Sequence, residues 1–168
     1  MSSESGPASR RRFDSLQQQA FLSLWRTYDR LRQYEDELFS RFELTPQQYN
    51  VLRLLRGEHP QPLPTLTLAS RLVSRAPDIT RMLDKLEQRG WITRERPAAN
   101  RRLVLVKITA GGLDLLKQLD KPVQECHERQ LGHLGEADLR RLIGLLEAAR
   151  RPHEAEGPWH EGRPESKK

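Results

Sequence analysis

Residues 75–109 read RAPDITRMLDKLEQRGWITRERPAANRRLVLVKIT, and the spacing of the apolar residues changes part-way through. From about Arg75 to Arg89, the residues Ile79, Met82, Leu83 and Leu86 fall at i, i+3, i+4 and i+7, one apolar stripe along a helix. Gly90 follows, the residue best suited to end a helix in a left-handed conformation. Beyond it the pattern is that of strands. Trp91 to Arg96 forms the first, Pro97-Ala98-Ala99-Asn100 a turn, and the β-branched run Leu103 to Ile108 the second. A helix running into a basic hairpin decides how the rest of the chain is read.

Toward the N-terminus, a short helix is expected from Thr65 to Leu72, joined to the next by a turn at Val73-Ser74. The connector His59-Pro60-Gln61-Pro62-Leu63-Pro64 cannot be helical. Before it, Thr45-Pro46-Gln47-Gln48 is a strong helix start, with Thr45 as cap, Pro46 at the first helical position and Gln48 closing a capping box. Residues 14–42 form a long helix capped by Asp14 or Ser15 and apolar around most of its girth, which requires partners on more than one side. Toward the C-terminus, Thr109 caps a helix from about Gly111, Pro122 is expected to kink or interrupt it, and a last amphipathic helix runs from Ala137 to Arg150. The expected order is α-α-α-α-β-β-α-α. The fold class is therefore mainly α with a small β-hairpin wing, a winged helix-turn-helix lobe joined to a helical region. The divisions are an N-terminal tail at 1–12, helical segments at 13–44 and 111–150, the winged lobe at 45–110, and a C-terminal tail at 151–168 in which Trp159 stands alone.

Charge follows the same division. Between Pro64 and Thr109 ten bases stand against four acids, an excess equal to the +6 of the whole 168-residue chain, so everything else balances to zero. A basic excess confined to one lobe is the footprint of a nucleic-acid-binding surface. No apolar run is long enough to span a bilayer, and the N-terminus lacks the apolar core of a secretory signal. The single cysteine, Cys126, rules out an internal disulfide and fits a reducing cytoplasm. There is no glycine-rich phosphate loop, no nucleophile motif and no paired-acid arrangement, so no enzymatic activity, metal or cofactor is expected. Neither Cys126 nor the five histidines show ligand spacing.

The helix from Arg75 to Arg89 presents Asp78, Arg81 and Lys85 outward, with Arg75, Ala76 and Pro77 at its start. The major groove of duplex DNA, about 12 Å wide, admits one helix. Small residues let that end approach base edges, within reach of Thr80 and Arg81. Asp78 either accepts from a cytosine amino group or pairs with Arg81 or Arg75. At the hairpin tip, Asn100, Arg101 and Arg102 are placed for a minor groove, and Arg94, Arg96 and Lys107 for phosphates. Thr65, opening the preceding helix, completes the expected double-stranded DNA contacts.

The runs Leu44 to Leu52, Ile79 to Ile92 and Asn100 to Gly112 resemble the MarR family of bacterial regulators, and the resemblance extends over roughly residues 15–150. It implies a DNA-binding transcriptional repressor, homodimeric through the first, fifth and sixth helices. It also implies a small-molecule effector pocket, for which Trp25, Tyr28, Tyr34, Tyr49 and Leu52 are the candidate lining residues. The chain departs from the family pattern in three places. Asn100 stands where the wing has Asp, the connector at 59–64 is longer, and Pro77 and Asp78 replace small hydroxyl residues at the start of the reading helix. Relatives that sense peroxide do so through a cysteine in the first helix, which has none here. The alternative reading is a winged-helix module that binds protein rather than DNA.

Overall fold

The computed structural model describes residues 13–73 and 78–154. The expected tails at 1–12 and beyond 154, Trp159, and the expected contact residues Arg75, Ala76 and Pro77 lie outside them. The elements are α1 (Leu16–Ser40), α2 (Pro46–Glu58), β1 (Leu63–Pro64), α3 (Thr65–Ser70), α4 (Ile79–Gln88), β2 (Ile92–Glu95), β3 (Leu105–Ile108), α5 (Ala110–Leu131) and α6 (Glu136–Arg150). A single 3-10 turn, Arg151–His153, prolongs α6 into the segment expected to be tail.

The caps do what their side chains dictate. Ser15 accepts from the Gln18 amide, Thr45 and Gln48 form the reciprocal capping box, and Thr109 accepts from the Gly112 amide. Gly90 takes φ +73° and turns the chain from α4 into β2. Glu43 also lies in the left-handed region, at φ 53°, at a cost of about 1 kcal/mol for a residue with a Cβ. Its carboxylate is held by Arg89 Nη1 at 2.8 Å, so the turn after α1 is tied to the end of α4.

The sheet has three strands rather than two, all antiparallel, in the order β1-β3-β2. The proline-rich connector supplies the extra one: Leu63 pairs with Val106 and Pro64 with Leu105. A proline is tolerated there because β1 is an edge strand and its missing N–H faces away from the ladder. Leu63 drops into the core that Val51, Leu52, Leu55, Leu68, Leu83, Leu86, Ile92 and Val106 build beneath the sheet.

Helix α5 is continuous through Pro122, contrary to the expected interruption. Leu115, Leu116 and Leu119 before the proline and Cys126 and Gln130 after it are all buried. Burial on both sides of Pro122 offsets a penalty of about 3 kcal/mol for proline inside a helix. Much of α1 and α6, by contrast, has nothing to pack on among the described residues. Leu16 is 79% exposed, Phe21 and Trp25 61% each, and α6 buries no residue at all.

Gly112 is where α5 meets the sheet. A Cβ there would press into the Trp91 carbonyl oxygen and the Ile108 side chain. Gly112→Ala is expected to lose about 1–3 kcal/mol through overpacking, read as a lower urea midpoint at unchanged slope.

Candidate nucleic-acid interface

Helix α4 owes its position to two faces. Leu83 and Leu86 are fully buried, while Thr80, Arg81 and Lys85 are exposed on the other side. The helix begins at Ile79, four residues later than expected, because Asp78 caps it: the carboxylate accepts from the Arg81 amide at 2.9 Å. Of the roles left open for Asp78, the structure places its Oδ1 in this backbone contact.

Of the ten basic residues between Pro64 and Thr109, the nine that are described sort into two sets. Arg71 pairs with Glu58 at 2.7 Å and Arg89 with Glu43 at 2.8 Å, with the Arg89 guanidinium also 5.1 Å from the centre of the Trp91 ring. Arg94, expected at phosphates, is turned inward instead. Its Nη2 lies 2.6 Å from both Asp84 and Glu87, its Nε donates to Glu87 at 2.9 Å, and its backbone N–H donates to the same carboxylate at 2.9 Å. The hydrogen bond to Glu87 raises the guanidinium pKa above its already high ordinary value, despite desolvation, so the charge is permanent. Arg94 turns inward because packing α4 on β2 brings two carboxylates to this one arginine.

The second set has no carboxylate partner among the described residues: Arg81, Lys85, Arg96, Arg101, Arg102 and Lys107, all exposed. Three of them gather at the wing. Asn100 accepts from the Arg102 amide at 3.1 Å through its side chain, and Arg96 reaches the Arg101 carbonyl at 3.4 Å. The Pro97 and Asn100 carbonyls accept from the Asn100 and Leu103 amides, so two successive turns hold Arg101 and Arg102 at the tip. Thr65 is not simply a free contact residue. Its amide and hydroxyl both donate to the Val104 carbonyl, at 2.9 and 3.2 Å, fastening the start of α3 to the wing.

The result is a projecting basic ribbon beside a helix whose outer face carries two unpaired cations. That geometry fits a duplex, and comparison with known proteins agrees. The MarR family model matches residues 44–104. The solved structure of a MarR transcription factor from Planctomyces limnophilus is 57% identical, covering 82% of this chain and 99% of that one at a TM-score of 0.66.

The chain belongs to the MarR family. It is a DNA-binding transcriptional regulator of the winged helix-turn-helix type. A mutant MarR from E. coli complexed with operator DNA is 26% identical, covering 78% of this chain and 93% of that one, with a TM-score of 0.70. Among curated proteins, the HTH-type transcriptional regulator PecS of Dickeya dadantii is 28% identical over 116 residues, 67% of this chain and 70% of that protein.

The expected effector residues separate in the MarR-type fold. Tyr28 and Tyr49 line one cleft between α1 and α2, together with Glu35, Phe39, Asn50 and His127. Trp25 does not join them; it lies further along α1 beside Phe13, Leu22 and Arg26. Leu52 is wholly buried in the core and has no surface to offer, and the Tyr34 ring lies 4.9 Å beneath the Arg129 guanidinium. Glu35 and His127 were not among the expected residues. Glu35 stands on α1 itself, whereas His127 reaches the cleft only through the packing of α5 on α1, which no local pattern encodes. Burial pushes the Cys126 thiol up, away from the reactive thiolate.

Arg102→Ala is expected to weaken duplex binding across sequences and lower the magnitude of the salt slope by about 1. Arg94→Ala is expected to weaken binding with the slope unchanged, since its charge is spent within the lobe. A slope reduced by Arg94→Ala would place that side chain on a phosphate. Arg81→Ala is expected to change base preference at one position per half-site, by about 1–3 kcal/mol where its contact is bidentate.

Proposed function

We propose that this MarR-family regulator is a homodimeric, ligand-responsive repressor acting in the cytoplasm on a pseudo-palindromic operator, with no catalytic step of its own. The observation that carries the DNA half is the sorting of cations. Three of the four acids between Pro64 and Thr109 cap α4 or neutralise Arg94, and six exposed cations on α4, the hairpin and its tip have no carboxylate partner among the described residues. Thr80, Arg81 and Lys85 face the major groove in this reading, and Asn100, Arg101 and Arg102 the flanking minor groove.

The dimer is supported by the apolar surface left bare on α1 and α6, where Phe21, Leu24, Trp25, Ile143 and Leu145 are each about half exposed or more. A two-fold pair of such chains sets two α4 helices one helical turn of DNA apart, about 34 Å. The effector reading rests on the cleft of roughly 870 Å³ between α1 and α2, large enough for a small molecule. A ligand that prefers one spacing of the two reading helices lowers operator affinity by linkage.

Three measurements test these parts separately. Selection of bound duplexes from a random pool is expected to return an inverted repeat. Binding that is absent even at low salt would remove the DNA function and leave the protein-adaptor alternative. Trp25→Glu is expected to raise the dimer dissociation constant by about 100-fold in sedimentation and to lose operator binding with it. A panel of small aromatic compounds, scored for release of labelled operator, is expected to contain members that release it from the native protein and not from Tyr28→Ala.

A further inference from the structure

The walls of the α1–α2 cleft differ in chemistry. One is aromatic: the Phe39 and Tyr49 rings stack with centroids 4.6 Å apart at 28°. The cations that border the cleft have partners. Arg32 Nε lies 3.2 Å from Asp36 Oδ2, and Arg53 Nη2 donates to Asn50 Oδ1 at 3.1 Å. Glu35 differs from the other acid. It is half-buried, and among the described residues its carboxylate has neither an ion pair nor a hydrogen bond.

His127 supplies a second acceptor, and its tautomer follows from its neighbours. Gln130 is buried, at 7% exposure, and its amide nitrogen donates to the Leu31 carbonyl at 2.8 Å. That fixes which end of the amide faces the histidine: Gln130 Oε1 lies 2.8 Å from His127 Nδ1. A carbonyl oxygen only accepts, so Nδ1 carries the proton, and in the neutral ring Nε2 keeps its lone pair. Burial raises the Glu35 pKa by more than a protonated His127 would lower it. Among the described residues no donor replaces the hydration this carboxylate has lost.

An aromatic wall beside a half-buried carboxylate without a partner calls for a flat molecule that donates. We propose that the cleft takes a small planar aromatic ligand bearing a cationic, hydrogen-bond-donating nitrogen, an amine or amidine, with Glu35 as its acceptor. This rests on the effector reading above and names the ligand's chemical class. An aromatic carboxylate of the same size would set like charge against Glu35 and leave its oxygens without donors.

Benzamidine and benzoate are planar, nearly the same size and opposite in charge, so the pair isolates the choice. In calorimetric titration of the full-length protein near neutral pH, benzamidine is expected to bind at least about tenfold tighter than benzoate. Glu35→Gln is expected to weaken benzamidine by about tenfold or more while benzoate binding stays level or improves, with an unchanged circular dichroism spectrum. The proposal is overturned by tighter binding of benzoate, by a Glu35→Gln protein that binds benzamidine as the native one does, or by no binding of benzamidine up to about 10 mM. Tighter benzoate binding would remove the amine class and leave the effector reading standing. That reading fails on its own terms only when no compound of the panel releases the operator.

Discussion

Arg94 sits where a hairpin must be fixed to a helix, and its guanidinium holds both. Asp84 and Glu87 lie one helical turn apart on α4, and Arg94 at the base of β2 bridges them while its own amide closes on Glu87. Two-stranded ribbons are marginal alone. Here the ribbon is anchored at its base by charge-assisted bonds to α4 and at its edge by β1. The distance between the wing tip and the outer face of α4 is thereby set before any DNA arrives. Preorganisation of this kind lowers the ordering cost that binding would otherwise carry.

The same ion pairs decide what the net charge means. The excess of six positive charges in the lobe is a statement about composition. The structure turns it into a statement about surface, because Arg71, Arg89 and Arg94 are consumed inside the protein and the uncommitted cations lie on α4 and the hairpin. Exposed pairs such as Arg89 with Glu43 contribute little stability in isolation. Their placement has another effect. Glu43 belongs to the turn that follows α1, and Arg56 of α2 pairs with Asp120 of α5 at 2.7 Å. One pair thus ties the turn after α1 to the end of α4, and the other ties α2 to α5.

What the sequence made legible was local. The caps at Ser15, Thr45 and Thr109, the left-handed Gly90, and the stripe of Leu83 and Leu86 all act within one turn of the chain. The remainder depended on residues far apart. β1 is two residues long and half proline, too short to carry a period. The local penalty of Pro122 predicts a break, and the burial that offsets it comes from α1 and α2. The Arg94 partners stand ten and seven residues upstream and meet it only after α4 packs on β2. Three of the five expected cleft residues lie outside the cleft for a related reason. A large apolar or aromatic side chain on an amphipathic helix does not announce whether it faces the core, a cleft or open solvent, and Leu52, Tyr49 and Trp25 divide among the three.

Asn100 shows where chemistry at one position can change without changing the geometry. An aspartate in a wing can accept from a backbone amide and can also pair with an arginine. Asn100 keeps the first ability, since its Oδ1 takes the Arg102 amide at 3.1 Å, and gives up the second. The turn is therefore preserved while the neighbouring cations lose a competitor. With Asp78 tied to the Arg81 amide and Asp84 and Glu87 tied to Arg94, three of the four acids of the lobe are committed within it. Arg101 and Arg102 then face solvent with no carboxylate partner among the described residues, and the potential at the wing tip is set by their charge.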